Sequence, residues 1–120
     1  MTRPGAGSIV LVDWRGGALP REPTKLRPAV VIEAEHVFPD DYPNLLVVPL
    51  TTDARLASAL TERIEPDTGN GVTEPSWTLA PSVTSVSLHR VRGTESRVRG
   101  SQLASIRRQV GFSIGVSALT

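Results

Sequence analysis

The sequence contains no cysteine and only two histidines, one lysine and one methionine, and aromatic residues make up 4% of its 120 positions. Each scarcity removes a class of chemistry. Without cysteine there is no disulfide scaffold, no thiolate zinc site and no cysteine nucleophile, and His36 and His89 are too few for a histidine metal cage. No uninterrupted apolar run approaches the ~20 residues of a membrane-spanning helix, and no basic-then-apolar signal segment opens the chain. These absences predict a cytoplasmic protein with no membrane association, no bound metal and no cofactor, whose chemistry rests on oxygen and guanidinium groups. At this length one domain spanning 1–120 is expected, with 1–7 and 116–120 loosely held.

What is plentiful is arginine. Twelve of the thirteen basic residues are Arg, whose planar five-donor fork matches phosphate geometry where Lys offers a point charge. The formal net charge of +1 hides a segregation, with +3 on residues 1–27, −7 on residues 28–74 and +5 on residues 75–120. G+C-rich codon usage can raise the share of Arg, but it does not explain why Glu95 is the only acid after Glu74. A basic end facing a polyanion fits the pattern.

Apolar residues come in short runs rich in Val, Ile and Thr and separated by Pro and Gly, which predicts a small antiparallel β domain. The first strand is read at Ser8–Asp13. A long polar connection from Trp14 to Arg27 follows, punctuated by Gly16, Gly17, Pro20 and Pro23, and loops of this length on small β domains carry function or move. Strands at 28–33 and 45–50 are nearly all apolar and so form the core, buried on both faces. Residues 60–65 read as an exposed, less regular strand, and 77–80 with 83–86 as two strand pieces or one strand bent at Pro81. The chain ends in one amphipathic helix, about Ser101 to Gly115, capped by Ser101 and packing Leu103, Ile106, Val110 and Ile114.

The common catalytic signatures are missing: there is no Gly-rich phosphate loop before a helix, no His-Glu-x-x-His and no recognisable Ser-His-Asp spacing. Two fragments stand out instead. Arg27-Pro28 opens the second strand, and Pro49-Leu50-Thr51-Thr52-Asp53 closes the third. If the two strands are antiparallel neighbours, Arg27 and Thr51 lie side by side, and a guanidinium beside a hydroxyl is a phosphate-binding pair. Each fragment alone also reads as a solvated Arg before a stiff strand entry and as a turn whose hydroxyls bond the backbone.

In order, Gly7-Ser-Ile-Val-Leu-Val-Asp13, Arg27-Pro-Ala-Val-Val-Ile32, Val47-Val-Pro-Leu-Thr-Thr52 and Pro75-Ser-Trp77 resemble the MazF/PemK toxins of type II toxin-antitoxin modules, over about residues 7 to 115. The resemblance implies an SH3-like small β-barrel of the MazF/PemK/CcdB type with a C-terminal amphipathic helix. It also implies a homodimer that works as a metal-independent, sequence-specific endoribonuclease. Arg27 matches the family's catalytic Arg and Thr51 its catalytic Thr. Substrate contacts are expected from Trp14, Arg15 and Lys25 around the first long loop, from Thr52 and from Ser82. The implied partners are single-stranded RNA and a cognate antitoxin with an acidic, partly disordered tail. With no thiol and no metal cluster to supply a nucleophile, the RNA's own 2′-hydroxyl is the economical one. It would leave 2′,3′-cyclic phosphate and 5′-hydroxyl ends.

The sequence departs from the family where Pro81-Ser82 replaces an Asp-Gln pair, and in the first loop only Glu22 matches the family's acid. A non-catalytic SH3-like binding module and a gyrase-inhibiting toxin of the related barrel are the alternatives, and neither would need Arg27. Trp77 is read as core, His36 and the Asp40-Asp41 pair as turn residues, and His89 as an exposed strand residue or part of a phosphate-binding rim beside Arg90 and Arg92.

Overall fold

The structure is a computed structural model that describes residues 3–14, 26–66 and 72–116. In chain order it holds β1 (Ser8–Asp13), β2 (Leu26–Val31), β3 (Asn44–Thr51), β4 (Arg63–Ile64), β5 (Ser76–Thr78), β6 (Thr84–Ser87), β7 (Val91–Arg97) and one helix, α1 (Gly100–Ser113). Single 3-10 turns stand at Ala54–Leu56, Ala80–Ser82 and Leu88–Arg90. All strand pairs are antiparallel, and the sheet runs β4-β5-β3-β2-β1-β7 with β6 also on β3.

The apolar runs explain this arrangement. Side chains alternate between faces along a strand, and in β2 and β3 both faces are apolar, so the sheet is covered on both sides. Ile9, Val30 and Val48 join Ile64, Val98 and Ile106 on the helix side, where Leu103 and Val110 of α1 also pack. On the other side Val10, Val12, Ala29, Val31, Val47 and Val86 close a second cluster inside the curl of the sheet. Burial of each such side chain contributes roughly 1.5–3 kcal/mol. The curl comes from β3, whose far edge is shared: Asn44–Val47 pair with β6, whereas Leu50 and Thr51 pair with β5. β5 and β6 follow one another in the same direction along β3, and the 3-10 turn at Ala80–Ser82 interrupts them, so the two strand pieces are separate strands in line.

Four details differ from the sequence reading. β7 carries a single buried apolar residue, Val91, and is an edge strand, so it has no apolar run to reveal it. The segment at 60–65 forms only the two-residue β4. α1 is preceded by Arg99, whose N–H donates to the Gln102 side chain at 2.8 Å, so Ser101 is not the cap. Ile114 follows the last helical residue and is 62% exposed, which removes it from the packed face of Leu103, Ile106 and Val110.

At the end of the sheet away from Thr51, the β2–β3 connection is locked by one ion pair. Arg3 donates from Nε and Nη2 to both carboxylate oxygens of Glu33 at 2.7 Å, and its fork also reaches the carbonyls of Tyr42 and Asn44. Phe38 and Tyr42 face the same guanidinium. The side chains are only 7% and 8% exposed, and removing one partner of such a pair leaves a buried, uncompensated charge. Arg3→Ala is therefore expected to lower stability by about 3–5 kcal/mol, read by urea unfolding; a loss typical of an exposed pair, under ~1 kcal/mol, would refute the lock.

Candidate active site

Arg27 and Thr51 reach the same place through strand register. The β2–β3 ladder pairs Val31 with Val47, Val30 with Val48 and Ala29 with Pro49. The ladder ends there; continued two residues further, its register would set Arg27 opposite Thr51, on the face of Ala29 and Pro49. Their backbones go separate ways: Arg27 pairs with Val12 of β1, and Thr51 pairs with Trp77 of β5. The row continues to Arg63, which pairs with Trp77 and sets its guanidinium 5.5 Å from the ring centroid. Thr51, Trp77 and Arg63 thus form one cross-strand row of a hydroxyl, an aromatic plane and a cation, and Arg27 stands at the same end of the sheet on β2.

The hydroxyl is oriented. Thr51 Oγ1 accepts the N–H of Asp53 at 3.1 Å, which leaves its O–H to donate outward. Asp53 in turn caps the 3-10 turn at Ala54–Leu56 by accepting from Arg55 N at 3.0 Å, and its two oxygens take the Arg55 fork at 3.0 and 2.9 Å. The Arg55 guanidinium holds the Asp53 carboxyl below its ordinary range. On the far side, Glu62 N donates to Thr78 Oγ1 at 2.9 Å, Gln109 Nε2 of α1 donates to the Thr61 carbonyl at 3.2 Å, and Gln102 Nε2 reaches the Arg63 carbonyl at 3.4 Å. The helix therefore fixes the backbone that carries Arg63.

Of the residues singled out in the sequence, Arg27, Thr51 and Thr52 lie at the same end of the sheet, with Arg27 and Thr52 exposed and Thr51 half-buried. Trp14 is half-buried and lines a cavity of about 290 Å³ with Asp13, Arg90, Thr84 and Ser87. Val12, which precedes Asp13 and Trp14, pairs with Arg27, so that wall of the cavity lies at the same end, while its β6 wall lies along the Asn44–Val47 half of β3. Ser82 is exposed in the 3-10 turn that packs beside α1, outside the row. Arg15, Lys25 and Glu22 lie outside the described residues. His89 is exposed in the 3-10 turn next to Arg90. Trp77 is half-buried beneath Arg63 and so is not a core residue. Sequence reading missed Arg63, Asp53 and Arg55. For Trp77 the sequence signal pointed the other way: polar neighbours predict an inward Trp, whereas Ser76 and Thr78 are the buried residues and Trp77 lies on the opposite face. Among the described residues no three His, Asp or Glu side chains gather as a metal site.

A guanidinium and an outward-donating hydroxyl on one open face can grip the non-bridging oxygens of a phosphodiester, and an aromatic plane beside them can stack a base. This arrangement sits on a curled, mainly antiparallel sheet closed by one C-terminal helix, the fold of the MazF toxins. The family model for the PemK-like, MazF-like toxin of type II toxin-antitoxin systems matches residues 6–114, and the protein belongs to that family. Its fold is similar to that of the Mycobacterium tuberculosis toxin MazF-mt6, with a TM-score of 0.71 at 19% identity over 92% of this chain and 99% of that one. MazF from Deinococcus radiodurans superposes with a TM-score of 0.68 at 22% identity, covering 93% and 96% of the two chains. A mycobacterial endoribonuclease solved with its cognate antitoxin gives 0.68 at 15% identity, covering 97% and 99%. No curated protein matches the chain.

The Asp53–Arg55 pair makes a pH prediction whose sign is fixed. A carboxyl held below its unfolded value of 3.8 contributes stability that is present above that pH and is lost as the pH falls through the folded value. An NMR titration of the Asp53 carboxyl should give a midpoint below 3.8 that moves up in Arg55→Ala. An unshifted midpoint, or one indifferent to Arg55, would contradict the pairing.

Proposed function

We propose that this protein is the toxin of a toxin-antitoxin module, a metal-independent, sequence-specific endoribonuclease that cuts single-stranded RNA. The observation that supports the reading is that β2 and β3 bring Arg27 and Thr51 to one end of the sheet, with one lone pair of the Thr51 hydroxyl taken by the Asp53 N–H. Membership of the toxin family supports it. So does the likeness to the mycobacterial protein, an endoribonuclease in complex with its cognate antitoxin.

The chemistry follows from the groups in place. The ribose 2′-oxygen attacks the adjacent phosphorus as its proton departs. The bond to the 5′-oxygen breaks, and that oxygen takes up a proton. The products carry a 2′,3′-cyclic phosphate and a 5′-hydroxyl. Arg27 binds the non-bridging oxygens and stabilises the charge that grows on them, and Thr51 donates a hydrogen bond to the same phosphate. Because an Arg side chain stays protonated up to pH ~12, charge stabilisation is the role assigned to Arg27. Trp14, at the end of the sheet where Arg27 lies, offers a stacking surface, with Thr52 beside the scissile phosphate. The active species is a cytoplasmic homodimer, silenced by an antitoxin with an acidic tail that competes for the same cations.

Arg27→Ala and Thr51→Ala should each slow cleavage by about a hundredfold to a thousandfold, the usual loss for one preorganised donor, with the fold intact by circular dichroism. Primer extension and end-group analysis on RNA treated with purified protein should show 2′,3′-cyclic phosphates, undiminished by EDTA. Full activity in Arg27→Ala, or cutting of a strand with 2′-deoxyribose at the scissile position, would sink the mechanism.

A further inference from the structure

Residues 28–74 contain nine acids and only two bases, Arg55 and Arg63, and the fold brings both bases to the end of the sheet where Thr51 lies. Arg63 is engaged by the Trp77 ring and by Glu65. Arg55 differs: its side chain is 89% exposed, and its fork is held by one carboxylate, Asp53, which is itself 35% exposed. The chain of contacts back to the site is short. Arg55 Nε and Nη2 bind the two Asp53 oxygens, and the Asp53 N–H binds Thr51 Oγ1. Ordinary covalent dimensions then put the Arg55 guanidinium under about 10 Å from the Thr51 hydroxyl, the reach of the next phosphodiester along a strand.

We infer that Arg55 is a phosphate ligand held in reserve, parked on Asp53 in the free protein and transferred to the phosphodiester beside the one held by Arg27 and Thr51. This rests on the endoribonuclease reading. An exposed ion pair contributes little to stability because water screens it, so the fork leaves at small cost. A phosphodiester offers the same bidentate geometry as the carboxylate and, in addition, releases its condensed counterions when an Arg neutralises it. Asp53 does not need to move in the exchange. Its backbone N–H stays on Thr51, and its side chain keeps the cap on the N–H of Arg55. Asp53 is thus a positioning residue for Thr51 that also sets how firmly RNA is held.

The test uses an RNA oligonucleotide carrying the mapped cleavage sequence, with 2′-deoxyribose at the scissile position for binding and all ribose for single-turnover cleavage. For Arg55→Ala, binding should weaken about five- to tenfold, and the plot of log affinity against log salt should be shallower by about 0.7, the value for one contact to a single strand. The loss should fall on affinity far more than on the saturating cleavage rate. Asp53→Asn keeps the cap, because Asn caps as well as Asp, and should bind the same oligonucleotide roughly threefold more tightly, the reverse of what a purely structural role gives. A wild-type protein that cleaves RNA while Arg55→Ala shows an unchanged salt slope overturns this inference alone, as does weaker binding by Asp53→Asn. A wild-type protein that neither binds nor cleaves RNA overturns the endoribonuclease reading and this inference with it.

Discussion

The site depends on a hydrogen bond that cannot form. Val30 and Val48 face each other across the β2–β3 ladder. In a strand the residues that turn their N–H and C=O toward one neighbour alternate, so Ile32, Val30 and Pro28 face β3, a parity matched by the Ile32 N–H on the Leu46 carbonyl. Pro28 has no N–H to give Leu50. The ladder ends at Ala29–Pro49, and the last residues of β3 are released to pair with β5. Pro49 fits the same scheme from the other side. Its carbonyl accepts from Leu79 at 2.9 Å, away from β2, so its missing N–H faces the place where β6 hands over to β5 and no ladder bond is lost. Two prolines in adjacent strands open the sheet at one point, and Arg27 and Thr51 are the residues on either side of the opening.

This separates what the sequence could reveal from what it could not. The double-sided apolar character of β2 and β3 was legible, because Val30, Val31, Val47 and Val48 leave no polar face for solvent. The antiparallel pairing of those two strands, on which the expected adjacency of Arg27 and Thr51 rested, was legible too, and the Arg-Pro and Pro-Leu-Thr fragments that carried the family resemblance are the ones that shape the opening. By contrast β7 was invisible, since Arg92, Gly93, Glu95 and Arg97 are all exposed on an edge and leave Val91 as its one buried apolar anchor. Arg63 escaped for a different reason. Its role depends on which strand lies beside β5, and a two-residue strand leaves no periodicity to read.

Charge segregation, read along the chain, set a basic first and last third against an acidic middle. Within the middle third the fold makes a finer distinction that no window of residues would display. Both of its bases sit next to the cross-strand row, and each is tied to an acid two residues further on or two residues back: Arg63 to Glu65, and Arg55 to Asp53. Beside the row the two bases of the acidic third are thus each paired with a carboxylate, although that third as a whole stays at −7. That arrangement limits non-specific attraction of polyanions, because a screened, self-satisfied pair exerts little field beyond a Debye length of roughly 8 Å at physiological salt.

Exposure of Arg27 sets the remaining constraint on how the site works. A guanidinium and a phosphate 4 Å apart gain about 1 kcal/mol in bulk water but about 4 kcal/mol at the effective dielectric of a partly shielded surface. A hundredfold to thousandfold contribution to rate corresponds to about 2.7–4 kcal/mol, which the open site alone does not supply. Water has to leave when the substrate arrives. Under the proposed function, Trp77 with Arg63 over its ring on one side of Thr51, and Trp14, half-buried on the side of Arg27, are the two surfaces on which bases would stack and displace it. Under the proposed function, the RNA strand itself would provide the cover that makes Arg27 effective. A phosphodiester without stacked neighbours would be held at the same two side chains and cut slowly.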